Sequence, residues 1–220
     1  MGIFALIAFG IAGFSGMVFY AHQARKKRTE AMSAVAERLG LAFQPHPPVS
    51  IIPDARRFEL FSAGHGRDIR NFMSLQKDGR TVCVFDYTYV TGAGKTQSAH
   101  AQTVVHVRCP GLNLPAFTLR PEHALHRLGG IFGYQDIDFD TDPQFSDAYL
   151  LRGTDEDAIR AAFTAPVLEF YDAHPKSCTE GNGAELLLWR DMKILEPNEI
   201  QALMQTADTL VNRFLGQPAA

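Results

Sequence analysis

The chain has 220 residues, of which 46% are hydrophobic and 20% are charged, and its formal net charge is −3. This composition excludes a disordered chain, which combines low hydrophobicity with high net charge, and also a collagen-like or low-complexity chain. Cys83, Cys109 and Cys178 are too few for a disulfide framework and show no CxxC spacing.

An uncharged apolar segment occupies residues 2–21. Twenty helical residues span about 30 Å, which matches the hydrocarbon core of a bilayer. Arg25, Lys26, Lys27 and Arg28 follow this segment, and no Lys or Arg precedes it. The pattern predicts one uncleaved transmembrane helix rather than a signal peptide, with the basic flank and the rest of the chain in the cytoplasm.

Small residues lie at helical spacing in the apolar segment, at Ala8, Ala12 and Gly16. Such a stripe lets two transmembrane helices pack closely, but Gly and Ala are also common in transmembrane helices that stay single. The sequence is consistent both with a homodimer through the anchor and with a monomeric anchor. The basic flank would act on topology alone or also bind anionic lipid headgroups.

A short amphipathic helix is predicted from Thr29 to Gly40, and the proline-rich stretch QPHPP at 44–48 predicts a linker. The chain accordingly divides into a transmembrane anchor over 1–22, a juxtamembrane segment over 23–48 and a soluble domain over 49–217.

Strands are predicted between Phe58 and Glu122, where TVCVFDYTYV (81–90) and AHAQTVVHVRC (99–109) alternate apolar and polar faces. The turns between these strands are too short for parallel crossovers, which predicts an antiparallel meander. Extended segments are predicted at 135–141 and 145–153, a strand at 185–194, and helices from Thr154 and from Pro197. The predicted fold class is α+β, a mainly antiparallel sheet with two or three packed helices.

Carboxylates alternate along QDIDFDT at Asp136, Asp138 and Asp140. They predict either a divalent-cation site or an extended segment that turns its apolar residues inward and its carboxylates outward. A second group, Glu122, His123 and His126, would share a helical face but supplies too few ligands for a complete zinc site.

No motif assigns a cofactor or a catalytic residue. The string GAGKT at 92–96 lacks the first glycine of a phosphate-binding loop, where Tyr89 stands, and strand-like sequence follows it instead of a helix. No G-x-S-x-G elbow occurs in the domain. We therefore predict no cofactor and favour a non-catalytic protein.

Four segments, 85–105, 114–122, 132–163 and 185–194, together resemble a family of uncharacterised bacterial proteins with one N-terminal membrane anchor and a soluble α+β domain. The resemblance covers nearly the whole chain. It implies a bacterial membrane-associated protein of unknown role and transfers no functional residue. With the basic flank, this predicts a single-pass protein of the bacterial inner membrane.

The sequence thus predicts a membrane-anchored cytoplasmic binding or scaffolding module that holds a protein partner or a small ligand. Polar residues in strands or turns are the candidates for its binding surface: Arg67, Arg70, Asp86 and Arg108. The alternatives are a membrane-tethered metal-dependent enzyme, and a lipid or small-ligand sensor with a cavity at the membrane-proximal end of the domain. Residues 29–220 hold 17 basic and 24 acidic residues, a balance of −7 that argues against nucleic-acid binding.

Overall fold

The computed structural model describes residues 2–122 and 136–217; for residues 2–18 it describes the helical backbone without the side chains. The helices in the described part are α1 (Gly2–Leu39), α2 (Glu59–Ser62), α3 (Pro143–Ala148), α4 (Glu156–Ala162), α5 (Ala165–Ala173) and α6 (Ile200–Phe214). The strands are β1 (Ala42–Gln44), β2 (His65–Lys77), β3 (Arg80–Thr91), β4 (Ser98–Arg108), β5 (Leu114–Pro121), β6 (Tyr149–Gly153), β7 (Ser177–Gly183) and β8 (Glu185–Arg190).

These eight strands form one sheet in the order β1-β2-β3-β4-β8-β7-β5-β6, and every neighbouring pair is antiparallel. The predicted α+β class with a mainly antiparallel sheet is confirmed, although the described helices outnumber the two or three predicted. The predicted meander holds for β2, β3 and β4. It fails at β5, because β8 pairs with the free edge of β4 and β5 joins β7 and β6 instead.

Alternation along the central strands builds two cores, one on each side of the sheet. On β3, Val84 faces a core that also contains residues of α1, α4, α5 and α6, and we call this side the helix face. Phe85 and Tyr87 face the opposite side, which residues 49–63 cover with Ile52, Phe58, Leu60 and Phe61; we call it the α2 face. Both faces of the central sheet are therefore buried.

Helix α1 runs without interruption for 38 residues, about 57 Å at 1.5 Å per residue. Its last turns pack into the helix-face core through Met32, Val35 and Ala36. The predicted linker at 44–48 begins on β1, and the carbonyl of Pro45 accepts from the amide of Asn71 at 2.8 Å. The juxtamembrane helix and the start of the proline-rich stretch thus pack against the sheet.

Among the residues with described side chains, from 19 onward, no helix is both apolar and long enough to cross a membrane. Most of the predicted anchor, and all of its small-residue stripe, precedes residue 19 and lies outside that part of the chain.

Residues 145–148, which the sequence pattern predicted to be extended, belong to the short helix α3. Asp142 caps this helix by accepting from the amide of Phe145 at 3.0 Å, and Pro143 stands at its first position. The predicted extended structure resumes at β6. Local capping chemistry therefore outweighed the strand-like composition.

Candidate functional site

The predicted binding residues lie in different places. Arg67 donates to three carbonyls of residues 62–64 at 2.6 to 3.2 Å and fixes the end of α2. Arg70 pairs with Asp68 at 2.6 Å. Arg108 is the last residue of β4, near the opposite end of the sheet from Arg67, and its side chain is 59% exposed. The structure does not bring these three arginines together.

Asp86, the fourth predicted binding residue, is buried and fully engaged in hydrogen bonds. Arg28 donates to both of its oxygens, each at 2.7 Å. Asn71 donates to Oδ2 at 2.7 Å and Thr103 donates to Oδ1 at 2.9 Å. Four donors saturate the carboxylate, so Asp86 joins α1 to the sheet and leaves no acceptor position for a ligand.

A bulge in β2 brings Asn71 to this carboxylate. The register between β2 and β3 shifts between Arg70 and Met73, and Asn71 has a positive φ of 52°. Asparagine adopts this left-handed conformation more readily than most residues, and a bulge re-aims the side chain that it displaces. The polar centre around Asp86 therefore depends on one local irregularity of the strand.

One of the four basic residues of the predicted lipid-binding flank, Arg28, belongs to this polar centre and is not free to bind lipid. Arg25, Lys26 and Lys27 are exposed, whereas Arg28 is held by Asp86 and by the carbonyl of Leu195 at 3.0 Å. Three basic side chains of the flank thus remain open to solvent.

The predicted metal-binding carboxylates do not converge. Asp136, Asp138 and Asp140 are exposed, while Ile137 and Phe139 between them are buried. One oxygen of Asp136 already accepts from the amide of Leu151 at 3.0 Å. Across residues 2–122 and 136–217, no group of three or more His, Cys, Asp or Glu side chains could hold a metal ion. His123 and His126 lie outside the described residues.

A pocket of about 240 Å³ opens on the α2 face between the 56–62 segment and strands β5, β6 and β7. Polar and charged side chains contribute much of its wall: Arg56, Arg57, Glu59, Ser62, Thr118, Arg152, Glu180 and Asn182. We call this cavity the β5–β7 pocket. None of the predicted site residues lines it.

Glu180 is the most deeply buried charged residue of the pocket wall, at 1% exposure. Its Oε1 accepts from Arg120 at 2.6 Å and from the amide of Leu60 at 3.0 Å, while its Oε2 has no hydrogen-bond partner in the described part of the chain. Burial raises the pKa of Glu180 to about 7 and the nearby Glu59 adds to the rise, although Arg120 opposes it. Trp189 lies 4.2 Å from the Arg120 guanidinium and completes this group.

Glu59 also lines the pocket, near Glu180, and makes weaker contacts. Thr118 donates to its Oε2 at 3.4 Å, and Arg152 lies 3.9 Å from its Oε1. Oε1 of Glu59 is buried and, like Oε2 of Glu180, has no hydrogen-bond partner among the described residues. Two carboxylates with an unused acceptor each thus border one cavity.

A separate cluster surrounds Glu185 next to the pocket. His106 lies 2.9 Å from one of its oxygens, and Arg57 pairs with the other. Burial alone would raise the pKa of Glu185, but the hydrogen bonds from His106 and Arg57 lower it to about 2. This carboxylate stays ionised at neutral pH and holds the 55–57 turn on the sheet.

Sequence reasoning missed Glu180, Arg120 and Glu59. In β5, alternation places Arg120 on the face opposite Phe117 and Leu119, which predicts exposure to solvent, and β7 offers only Cys178 as an apolar neighbour on the face of Glu180. No sequence signal shows that residues 49–63 cover that face. A charged residue in the middle of a strand, as in TLRP (118–121) or CTEG (178–181), was the available clue.

The fold is similar to that in the crystal structure of the mycobacterial trehalose monomycolate transport factor A, TtfA. The TM-score is 0.61 at 13% sequence identity, with 88% of this chain and 97% of TtfA covered. At this identity the similarity shows a shared fold. No family model matches the sequence, and no curated protein matches it.

Proposed function

We propose that the chain is a membrane-anchored binding module of the bacterial inner membrane, with residues 2–21 in the bilayer and its acidic domain in the cytoplasm. The observation that carries the proposal is the continuity of α1. One uninterrupted helix contains the apolar segment and ends inside the core of the domain, where Asp86 holds Arg28. The module would thus be coupled to its anchor without a flexible linker.

The exposed residues that follow the apolar segment fit this placement. Phe19 and Tyr20 are 65% and 74% exposed, an unusual state for large aromatic side chains in water but a common one at a membrane interface. Arg25, Lys26 and Lys27 come one to two turns later, where they would meet anionic headgroups. The small-residue stripe would permit a homodimer through the same helix.

Binding is proposed to take place at the β5–β7 pocket. The similarity to TtfA, named as a transport factor for trehalose monomycolate, agrees with a binding role beside a membrane but does not identify a ligand. A protein partner held by the domain surface is the scaffolding version of the same proposal. The metal-dependent enzyme has no support in the described residues, since no group of three or more His, Cys, Asp or Glu side chains among them could hold a metal ion.

The pocket faces away from the bilayer in this arrangement, which separates it from the lipid-sensor alternative. Strand β3 shows the direction of α1. Arg28 contacts Asp86 on this strand, whereas residue 42, just after the end of α1, pairs with Ser74, which in turn pairs with Cys83 on β3. The N-terminal part of α1 therefore points toward the end of the sheet at which Thr91 lies. The pocket lies toward the other end and on the other face, so its ligand would come from solution.

Membrane fractionation of the full chain tests the proposal. We expect the wild-type chain to remain with bacterial membranes after washes in high salt and alkaline carbonate, and detergent to release it. Substituting Ile7→Lys together with Ile11→Lys places two charges in the apolar segment, at about 3 kcal/mol each, and should move the chain to the soluble fraction.

A matched control places the same charges elsewhere: Gln201→Lys with Gln205→Lys on the exposed side of α6 should not alter the fractionation. A C-terminal reporter that is active only in the cytoplasm should be active. A wild-type chain that is soluble, or a reporter active only outside the cytoplasm, would contradict the proposed placement.

A further inference from the structure

The β5–β7 pocket offers a ligand both hydrogen-bond acceptors and hydrogen-bond donors. Its unused acceptors are the buried oxygens Glu59 Oε1 and Glu180 Oε2. Thr118 adds a hydroxyl that already donates to Glu59 and can still accept, and Asn182 adds an amide that can donate and accept. A buried carboxylate oxygen without a donor is unfavourable, so a ligand that brings donors to this wall would gain affinity.

The charges around the pocket favour a neutral ligand. The ionisable groups nearest its floor are Glu59, Glu180, Arg120 and Arg152, and their charges cancel above pH 7, where Glu180 is ionised. At the rim, Arg57 is already paired with Glu185, and Arg56 is exposed, so solvent screens its charge. A fully charged ligand would lose its hydration without meeting a net opposite charge, which seldom favours binding.

The size of the cavity limits the ligand to a small molecule. Its volume of about 240 Å³ lies below the roughly 300–1,000 Å³ of pockets for drug-sized ligands. A hydroxyl group both donates and accepts, so several hydroxyls on one small ring would match a wall that carries donors and unpaired acceptors. An ammonium ion can only donate, and a phosphate mainly accepts.

We infer that the β5–β7 pocket binds a small, neutral, polyhydroxylated ring molecule of the monosaccharide or cyclitol class. The inference deepens the proposed function and rests on it, because it names the ligand class of the binding module. Glu59 and Glu180 accept from the ligand hydroxyls, Thr118 accepts while its own proton stays on Glu59, and Asn182 both donates and accepts.

Trp189 provides a built-in reporter for this site. It is the only tryptophan of the chain, and its ring lies 4.2 Å from the guanidinium of Arg120, which donates to Glu180. The full chain in mild detergent is titrated with D-glucose, D-mannose and myo-inositol, with D-glucosamine and D-glucose 6-phosphate as charged probes. Binding is followed by Trp189 fluorescence and, independently, by ligand-observed NMR.

At least one neutral probe should bind saturably below about 0.1 M, and about tenfold more tightly than its charged counterparts. Glu59→Gln and Thr118→Val should each weaken that binding, the former by about tenfold, since it replaces a hydrogen bond to a charged acceptor. Glu169→Gln, an exposed carboxylate change on α5, is the matched control and should leave binding unchanged. Unfolding midpoints identify any variant that fails to fold. If Glu59→Gln fails to fold, Thr118→Val still tests the inference.

The inference is overturned if no neutral probe binds, if only a charged probe binds, or if both pocket variants fold and bind like the control. Binding is measured apart from membrane fractionation, so the two failures are distinguishable. A membrane-bound chain that binds no neutral probe loses the ligand class alone, whereas a soluble chain that binds one loses the anchor alone.

Discussion

Two buried carboxylates illustrate how surroundings decide the role of a residue. Asp86 receives four hydrogen bonds, two of them from Arg28, and has no remaining acceptor capacity toward a ligand. Glu180 receives two and keeps one oxygen unpaired at the wall of a cavity. The first carboxylate is suited to holding elements together and the second to meeting a ligand or a proton.

The proton on Glu180 should make the stability of the chain depend on pH. Its folded-state pKa of about 7 lies above its ordinary value of 4.5, so the folded chain binds this proton more tightly than the unfolded chain does. The resulting stabilisation is present below pH 4.5 and disappears as the pH rises through 7. Between pH 5 and pH 8 this group should lower the free energy of unfolding by about 2–3 kcal/mol.

Urea unfolding of the full chain in detergent at several pH values measures this effect, with Glu180→Gln as the comparison. The groups that face Glu180 are the side chains of Arg120 and Glu59 and the backbone amides of Glu59 and Leu60, and the variant keeps all of them. The stability of the wild type should therefore fall relative to that of the variant over this pH range. Parallel pH profiles for the two chains would show that Glu180 does not titrate there.

The attachment of α1 to the sheet determines how the domain is presented. The helix contributes Met32, Val35 and Ala36 to the core, and Arg28 marks the point where it leaves the domain. Side chains before this point, such as Lys27, are exposed. One ion pair thus stands at the boundary between the docked and the projecting parts of one helix.

Removing Arg28 should destabilise the chain markedly. Arg28→Met keeps much of the apolar stem but leaves the buried Asp86 with two neutral donors, which should lower the free energy of unfolding by about 2–4 kcal/mol. Lys26→Met is the matched control on the same helix, because Lys26 and its partner Glu30 are both 66% exposed, and it should cost no more than about 0.5 kcal/mol.

A double-mutant cycle with Asp86→Asn completes this measurement by urea unfolding. In that background the Arg28→Met change should cost less, since the charge that Arg28 neutralises is gone. Additive losses would indicate that the two side chains stabilise the fold independently and that their ion pair does not hold α1.

Much of the central sheet was predictable because alternation is a local signal. The pattern of β3 and β4 predicted two strand faces and a short antiparallel connection, and both are present. The neighbours of β5 were not predictable, since the edge of β4 is taken by β8 from about 80 residues later in the chain. Pairings over such separations depend on the whole chain and leave no local pattern.

The candidate site was less accessible to sequence reasoning for the same reason. Asp86 stands out as a charge within a strand, but its burial depends on the bulge at Asn71 and on a helix that ends 47 residues earlier. Glu180 and Arg120 pair across two strands, β7 and β5, that are distant in sequence. Residue types suggested chemistry at each position, but only the topology brings the partners together.

At the scale of the whole molecule, one sheet supports both cores. Cys83 and Cys178 lie in the α2-face core and Cys109 in the helix-face core, and all three thiols are free and buried. Burial raises the pKa of Cys83 and of Cys178 to about 11, so both thiols stay protonated and unreactive at neutral pH. The cysteines therefore report the opening of each core separately.

Because the same strands carry residues of both cores, we expect the two cores to open in one transition. Brief pulses of a maleimide across a urea series, read by peptide mass spectrometry, should show Cys83, Cys109 and Cys178 becoming reactive at one common midpoint. Chains with two of the three cysteines replaced by alanine give each curve alone and control for reaction at neighbouring thiols. An earlier midpoint for Cys109 would mean that the helices leave the sheet before residues 49–63 do, and the two faces would then be separate folding units.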